Sequence, residues 1–336
     1  MNGMTRRSFT GLGLGVAAAL SSGLSRAQTH AAAAAATPGR VVAESSFARI
    51  EEVGDGLFAV LSTPLDDQGR IIHRETLCNG GVIVGDERML AVDAYFDPSG
   101  AAWVNAQLQR LFGRSVSDVI CTHLHLDHTG GLAGFQDADS GPEIYMTART
   151  WSLILEKYTG ARPSKDSPFL LPSAKIVGPT RIIDDSSEAF TLDLGGRGVT
   201  VELLAGHTPS DLVVHVNDEA LTYAGDLVWW GLFPNYIDAV PSQLGPSVAR
   251  LMNGESRLMV SGHGALVRSD AMAPYAELIA SVEDAASAAR DRGMSAEEAG
   301  AAYRLPRATA NWGYFDPRYP GRAIAAWFRE WDQSSA

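Results

Sequence analysis

Residues 123–128 read His-Leu-His-Leu-Asp-His, which places His123, His125, Asp127 and His128 within six positions. Imidazole and carboxylate are the donors that borderline divalent zinc accepts, and the thiolates typical of purely structural zinc sites are not among them. The chemistry indicated is that of a catalytic metal centre. Alternate residues of an extended segment share a face, so His123 and His125 can converge on one ion while Asp127 and His128, past a bend, aim beside it. One loop can then serve two metals.

Such a loop needs a strand to enter it and a turn to leave it. The run 116–122 predicts a short buried strand, and 129–135 predicts a turn feeding a helix. Further candidate ligands stand where other apolar runs end. The run 199–204 leads into Gly206-His207-Thr208, 221–224 into Gly225-Asp226, and 257–260 into Gly262-His263-Gly264. Each predicts a strand followed by a small-residue turn, and strand ends are where an α/β sheet offers its active-site loops. An earlier strand pair, 81–84 and 89–92, closes on Asp93.

Taken in this order, Asp93, the His-x-His-x-Asp-His loop, Gly206-His207-Thr208, Gly225-Asp226 and Gly262-His263-Gly264 make the chain resemble the metallo-β-lactamase superfamily of hydrolases over roughly residues 45–270. The resemblance implies an α/β fold, an αββα sandwich, with two zinc ions per chain. One ion would be held by His123, His125 and His207 and the second by Asp127, His128 and His263, with Asp226 bridging. Two such ions share a water, lower its pKa to near neutrality and polarise the oxygen that the resulting hydroxide attacks, so no protein nucleophile is needed. Asp127 is the candidate to orient that hydroxide or carry its proton. Asp93 either supports a ligand histidine from behind or caps its own turn.

The bridging position bears on substrate. The best-known β-lactamases of the superfamily carry Cys or Ser where this chain has Asp226, and those with Cys also place a substrate-binding Lys three positions later, where Trp229 stands here. An Asp bridge is usual in the superfamily's thioesterases and lactonases. Trp229, Trp230 and Phe233 are candidates for an aromatic rim suited to an apolar or flat substrate, or for core. Segment 159–179 is either a lid or a solvated connection.

The 336 residues carry a net charge of −12. Residues 1–27 contain Arg6, Arg7 and Arg26 and no acid, so without them 24 basic groups face 39 acidic ones, or −15. That balance disfavours a nucleic-acid substrate, which needs a cationic track for phosphates. Thr5-Arg6-Arg7-Ser8-Phe9-Thr10, the apolar run that follows and Ser25-Arg26-Ala27 read as a twin-arginine-type signal peptide over 1–27. Residues 28–44 then form a flexible lead-in, 45–270 the catalytic domain and 271–336 a helical C-terminal extension. The expected location is periplasmic or secreted, with no stable membrane anchor after cleavage. Cys78 and Cys121 are either one disulfide or two buried thiols. In the extension, 275–292, a capping-box start at Ser295 and 322–331 predict helices, and loop 311–319 packs on the core or reaches a partner or the active-site mouth.

These features predict an exported dinuclear zinc hydrolase acting on a small acyl substrate, a β-lactam or lactone first. The alternatives are a thioesterase-like hydrolase, a mononuclear iron persulfide dioxygenase and a metal-binding maturation partner. A single iron would leave the second ligand set unused.

Overall fold

The computed structural model describes residues 39–136, 141–159, 176–185 and 189–335. The signal segment 1–27 and most of 159–179 lie outside the described residues. Among those described, two sheets stack face to face. The first contains β1 (Arg40–Glu44), β2 (Ala48–Gly54), β3 (Leu57–Ser62), β4 (Gly80–Val84), β5 (Met89–Val92), β6 (Asp118–Ile120), β7 (Glu143–Thr147) and β8 (Arg181–Ile183), side by side in that order. The second contains β9 (Ala189–Asp193), β10 (Gly198–Leu204), β11 (Asp211–Val216), β12 (Leu221–Trp230), β13 (Leu258–Gly264) and β14 (Val267–Arg268), ordered β14-β13-β12-β11-β10-β9.

Strands β1 to β5 pair antiparallel and β5 to β8 parallel. Parallel neighbours require a crossover, and helix α1 (Pro98–Phe112) supplies it between β5 and β6. Asp97 caps that helix by accepting from the Ser99 amide, Pro98 occupies its first turn, and Gly113 ends it in the left-handed conformation.

The period-two pattern of β3 shows how the layers divide. Leu57, Ala59 and Leu61 face the second sheet, where they share a core with Val201, Leu212, Val214 and Tyr223. Phe58 and Val60 point the other way, into a core with Val104 and Leu108 of α1. On the far side of the second sheet, Leu227 and Val228 of β12 pack against α4 (Pro241–Asn253), α5 (Ala273–Asp291) and α7 (Tyr319–Ser334). The result is the αββα sandwich with a C-terminal helical extension. Helices α2 (Leu126–Thr129) and α3 (Ala148–Thr159) follow β6 and β7. The short α6 (Ala296–Ala302) opens on a Ser295/Glu298 capping box.

Three expectations need correction. The lead-in does not extend to residue 44, because Arg40–Glu44 forms the edge strand β1 paired with β2. The segment after Thr129 forms only a 3-10 turn, Leu132–Phe135, rather than a full helix. Gly225-Asp226 and Gly262-His263 are not turns after strands: β12 runs on to Trp230 and β13 to Gly264. Gly225, at a φ of +51°, marks one of two register shifts where β12 bulges against β13. Such a bulge re-aims a side chain without ending the strand, and here it turns Asp226 toward the histidines.

Asn79 ties the two sheets together beneath the site. Its amide nitrogen donates to the carbonyls of Ser261 (3.0 Å) and Gly264 (2.9 Å), and its backbone N–H to that of Gly262 (2.7 Å). Its side-chain oxygen accepts from the Ser62 amide.

Candidate active site

His123 and His125 occupy the loop leaving β6, and Asp127 and His128 the single turn of α2. His207 leaves β10, while Asp226 and His263 sit within the parallel neighbours β12 and β13. These seven side chains meet in two groups. Donor atoms of His123, His125, His207 and Asp226 all lie within 4.8 Å of one another, as do those of Asp127, His128 and His263. His125 Nδ1 stands 3.1 Å from His123 Nε2 and 3.0 Å from His207 Nε2. Ligands at about 2.05 Å around a tetrahedral zinc lie about 3.3 Å apart, so the three nitrogens are near the required spacing. The Asp226 carboxylate lies between the groups. Its Oδ2 is 3.2 Å from His207 Nε2 and 3.4 Å from His263 Nε2, and its Oδ1 is 3.1 Å from His128 Nε2.

Burial makes this cluster costly without a cation. His128 Nε2, His263 Nε2 and Asp226 Oδ1 are sealed from solvent without a hydrogen bond in suitable geometry. Unpaired buried polar atoms converging with carboxylates are what a pair of divalent ions would satisfy, and the donor set of imidazole and carboxylate suits zinc. The electrostatics divide along the same line. Burial, then the neighbouring imidazoles, pushes His123 well below the usual histidine range, and burial takes His207 down to about 3. Both are neutral and ready to coordinate. Burial also opposes charge on His263, but Asp226 and Asp127 outweigh it and hold that imidazole up at about 9. Burial would raise Asp226; His263, His128 and His207 overcome it and keep the carboxylate ionised.

Ligand orientation is fixed from behind. Asp93, in the left-handed region at a φ of +66°, accepts from the Thr122 amide at 2.8 Å and approaches His128 Nδ1 at 2.7 Å. That bond leaves His128 Nε2 for the cluster. Asp211 accepts from the backbone N–H and the hydroxyl of Thr208, which holds the turn that carries His207. Burial pushes the Asp211 carboxyl up to about 7.

Asp238 is a functional residue that the sequence patterns miss. Its Oδ2 lies 2.7 Å from His125 Nε2, and the same oxygen pairs with Lys157 near the end of α3. Since His125 Nδ1 faces the other ligands, Nε2 carries the proton and donates it to Asp238. No motif surrounds Asp238; the available signal is an acid in the first loop after the Asp226 strand.

The aromatic rim is a correction. Trp229, Trp230 and Phe233 are 3%, 2% and 0% exposed and belong to the outer core. Trp229 and Trp230 follow Asp226 on a strand buried along its whole length, and Phe233 lies just past its end. Trp229 still bears on the site from beneath, its ring centroid 3.9 Å from that of His263. Cys78 and Cys121 are buried free thiols rather than a disulfide. Cys78 donates to the Asp127 carbonyl oxygen at 2.8 Å, and burial raises its pKa to about 12, which keeps it protonated.

A family model described as the metallo-beta-lactamase superfamily matches residues 74–264, a segment that contains all seven converging residues. The chain belongs to that superfamily. It is 26% identical over 213 residues to the acyl-coenzyme A thioesterase MBLAC2 of Bos taurus, covering 57% of this chain and 69% of that protein. The chain covers only 44% of the Gallus gallus form. It is 32% identical over 187 residues to the 2,4-dinitroanisole O-demethylase subunit alpha of Nocardioides sp. (strain JS1661), covering 54% of this chain and 51% of that one. A solved metallo beta lactamase from Hirschia baltica superposes with a TM-score of 0.56 at 18% identity, over 70% of this chain and 98% of its own. At that identity the likeness concerns the fold.

Proposed function

We propose that the protein is a dinuclear zinc hydrolase that cleaves small acyl substrates, esters and thioesters foremost. The observation that carries this reading is Asp226, a buried carboxylate with one oxygen toward the His123/His125/His207 group and the other toward His128. Two ions held by these residues would supply Lewis acidity and a water nucleophile ionised near neutral pH. The remaining work falls to the chain. Asp127 is the most open of the seven, its side chain 25% exposed against 1% for Asp226, so it is the carboxylate able to orient an incoming water and take its proton. Asp238 and Asp93 hold His125 and His128 in the coordinating tautomer.

The thioesterase among the relatives supports placing thioesters with esters and lactones. With Trp229 buried, the position three residues after the bridge offers no cation for a β-lactam carboxylate. The test is a turnover screen of zinc-loaded protein against acyl thioesters, aryl esters, lactones, β-lactams and phosphodiesters. Hydrolysis of the first three classes, abolished by chelation and restored by zinc, is expected. Exclusive phosphodiester turnover, or sulfur oxidation with one iron per chain, contradicts the reading.

Export through a twin-arginine signal over 1–27 is part of the same proposal. Arg6-Arg7→Lys-Lys is expected to leave the protein in the cytoplasm on fractionation. Undiminished periplasmic accumulation points to another route.

A further inference from the structure

The matched family segment ends at residue 264, yet the chain beyond it returns to the metal site. Loop 311–319 is stitched to the end of β12: the Phe233 amide donates to the Gly313 carbonyl at 2.9 Å and the Gly313 amide to that of Gly231 at 3.0 Å. This anchor carries Phe315 to His263, where the rings meet edge-on with centroids 5.3 Å apart. Trp229 of β12 faces the same loop, its ring 5.7 Å from Phe315 and 6.2 Å from Tyr319, both edge-on. Phe315 is only half-buried, and Tyr319 is 7% exposed.

Tyr319 differs from the two tyrosines buried deepest in this half of the molecule, Tyr236 and Tyr275. The hydroxyls of Tyr236 and Tyr275 are sealed from solvent. That of Tyr319 is not among the sealed atoms and has no hydrogen-bond partner among the described residues. Its ring is therefore clamped while its hydroxyl keeps some access to solvent. The side chain is held on one flank by Trp229 and on another by Arg322, whose guanidinium lies 5.5 Å from the ring centroid and is tied to Asp316 at 3.3 Å. Burial, followed by the charge of Asp127, raises its ionisation well above the usual phenol range, so it remains an O–H donor. Asp127 is also the open carboxylate of the site.

We propose that the C-terminal extension supplies the substrate-facing wall on the Asp127/His263 side, with Tyr319 donating a hydrogen bond to the acyl oxygen and Phe315 forming the surface against which the acyl chain lies. This rests on the acyl-hydrolase reading and extends it: the substrate class becomes acyl groups with an apolar chain, selected by residues outside the shared family segment. A preorganised donor at the oxygen that gains charge contributes mainly to kcat, and an apolar wall to the binding of chain length.

The experiment uses the full zinc-loaded protein and two carboxylates, acetate and hexanoate, as product-like probes in calorimetry, alongside turnover of a hexanoyl ester. Tyr319→Phe removes only the hydroxyl. It is expected to keep the wild-type zinc content and melting temperature, to bind both carboxylates about tenfold more weakly, and to lower kcat about ten- to hundredfold with KM within about threefold. Phe315→Ala is expected to weaken hexanoate about fivefold while leaving acetate within about twofold. Wild-type carboxylate affinity in Tyr319→Phe overturns the donor assignment, and loss of zinc in that variant overturns it too by giving Tyr319 a purely structural role. An unchanged hexanoate-to-acetate ratio in Phe315→Ala overturns the wall. If wild-type protein hydrolyses no acyl substrate, the acyl-hydrolase reading fails, and the carboxylate titrations still decide the role of Tyr319.

Discussion

Asp238→Ala probes whether an acid outside any motif sets the affinity of the first ion. His125 has Nδ1 within 3.1 Å of two other ligand nitrogens and Nε2 2.7 Å from Asp238. A neutral imidazole can present Nδ1 to a cation only if its proton sits on Nε2, and Asp238 is the acceptor that favours this tautomer. Removing such a partner costs about ten- to hundredfold in metal affinity, or about 1.4 to 2.7 kcal/mol. The variant also releases Lys157, which the same carboxylate oxygen holds. Competition titration with a zinc chelator should then show a weakened first step, with the second step changed far less. Asp238→Asn keeps an oxygen acceptor and should fall between wild type and Ala. Wild-type zinc affinity in Asp238→Ala would mean that His125 needs no tautomeric support, and the role assigned to Asp238 would be withdrawn.

Loading the second ion should release protons. His263 is held up at about 9 and His128 is raised as well, its burial outweighed by the carboxylates of Asp226, Asp93 and Asp127, so both are protonated in metal-free protein at pH 7.5. Coordination requires neutral rings, so about two protons should leave on second-site binding and none from the first-site His123 and His207. Calorimetry in buffers of different ionisation enthalpy measures this; zero release refutes it. Because the folded pKa of His263 lies above the unfolded one, its contribution to metal-free stability is full below about pH 6.5 and is lost as pH rises through about 9. Gly262→Ala should disturb the bridge, since a Cβ there would stand 1.9 Å from Asp226 Oδ1. Overpacking of this kind costs about 1–3 kcal/mol, read as a lowered melting temperature together with weakened zinc binding; an unchanged melt and titration count against the packing.

The convergence of the seven residues was legible because donor types that are expensive to bury recur at the ends of apolar runs, and because three of the runs carry glycine beside the donor. Asp93 was legible by its place after a strand pair, and the structure puts it behind His128. What misled was β12. It is buried along all ten residues, so no alternation distinguishes its faces, and Gly225 looks like the turn that ends a strand when it is a bulge within one. Hence the sequence does not separate rim from core for Trp229, Trp230 and Phe233, and burial assigns them to core. The edge strand β1 was hidden for the opposite reason: Arg40 to Glu44 is nowhere fully buried and its apolar residues Val41, Val42 and Ala43 run consecutively without alternation, so its order comes from pairing with β2 rather than from its own pattern. Asp238 and Asn79 act across long sequence separations, which no local period encodes. The approach of Phe315 to His263 depends likewise on the bridge of Leu232 to Gly313, a contact between distant loops.

Metal content and turnover measured on one preparation of wild type and Asp226→Asn test the two-ion hydrolase most directly. Asp226 has oxygens toward both ligand groups, and an Asn amide is a neutral, poorer donor. The wild type should carry about two zinc ions per chain and hydrolyse an acyl ester. The variant should retain about one zinc ion, with second-site affinity down more than about hundredfold and turnover falling in parallel. Two tightly held ions with undiminished turnover in Asp226→Asn would contradict the bridge, and one iron per wild-type chain would contradict the hydrolase.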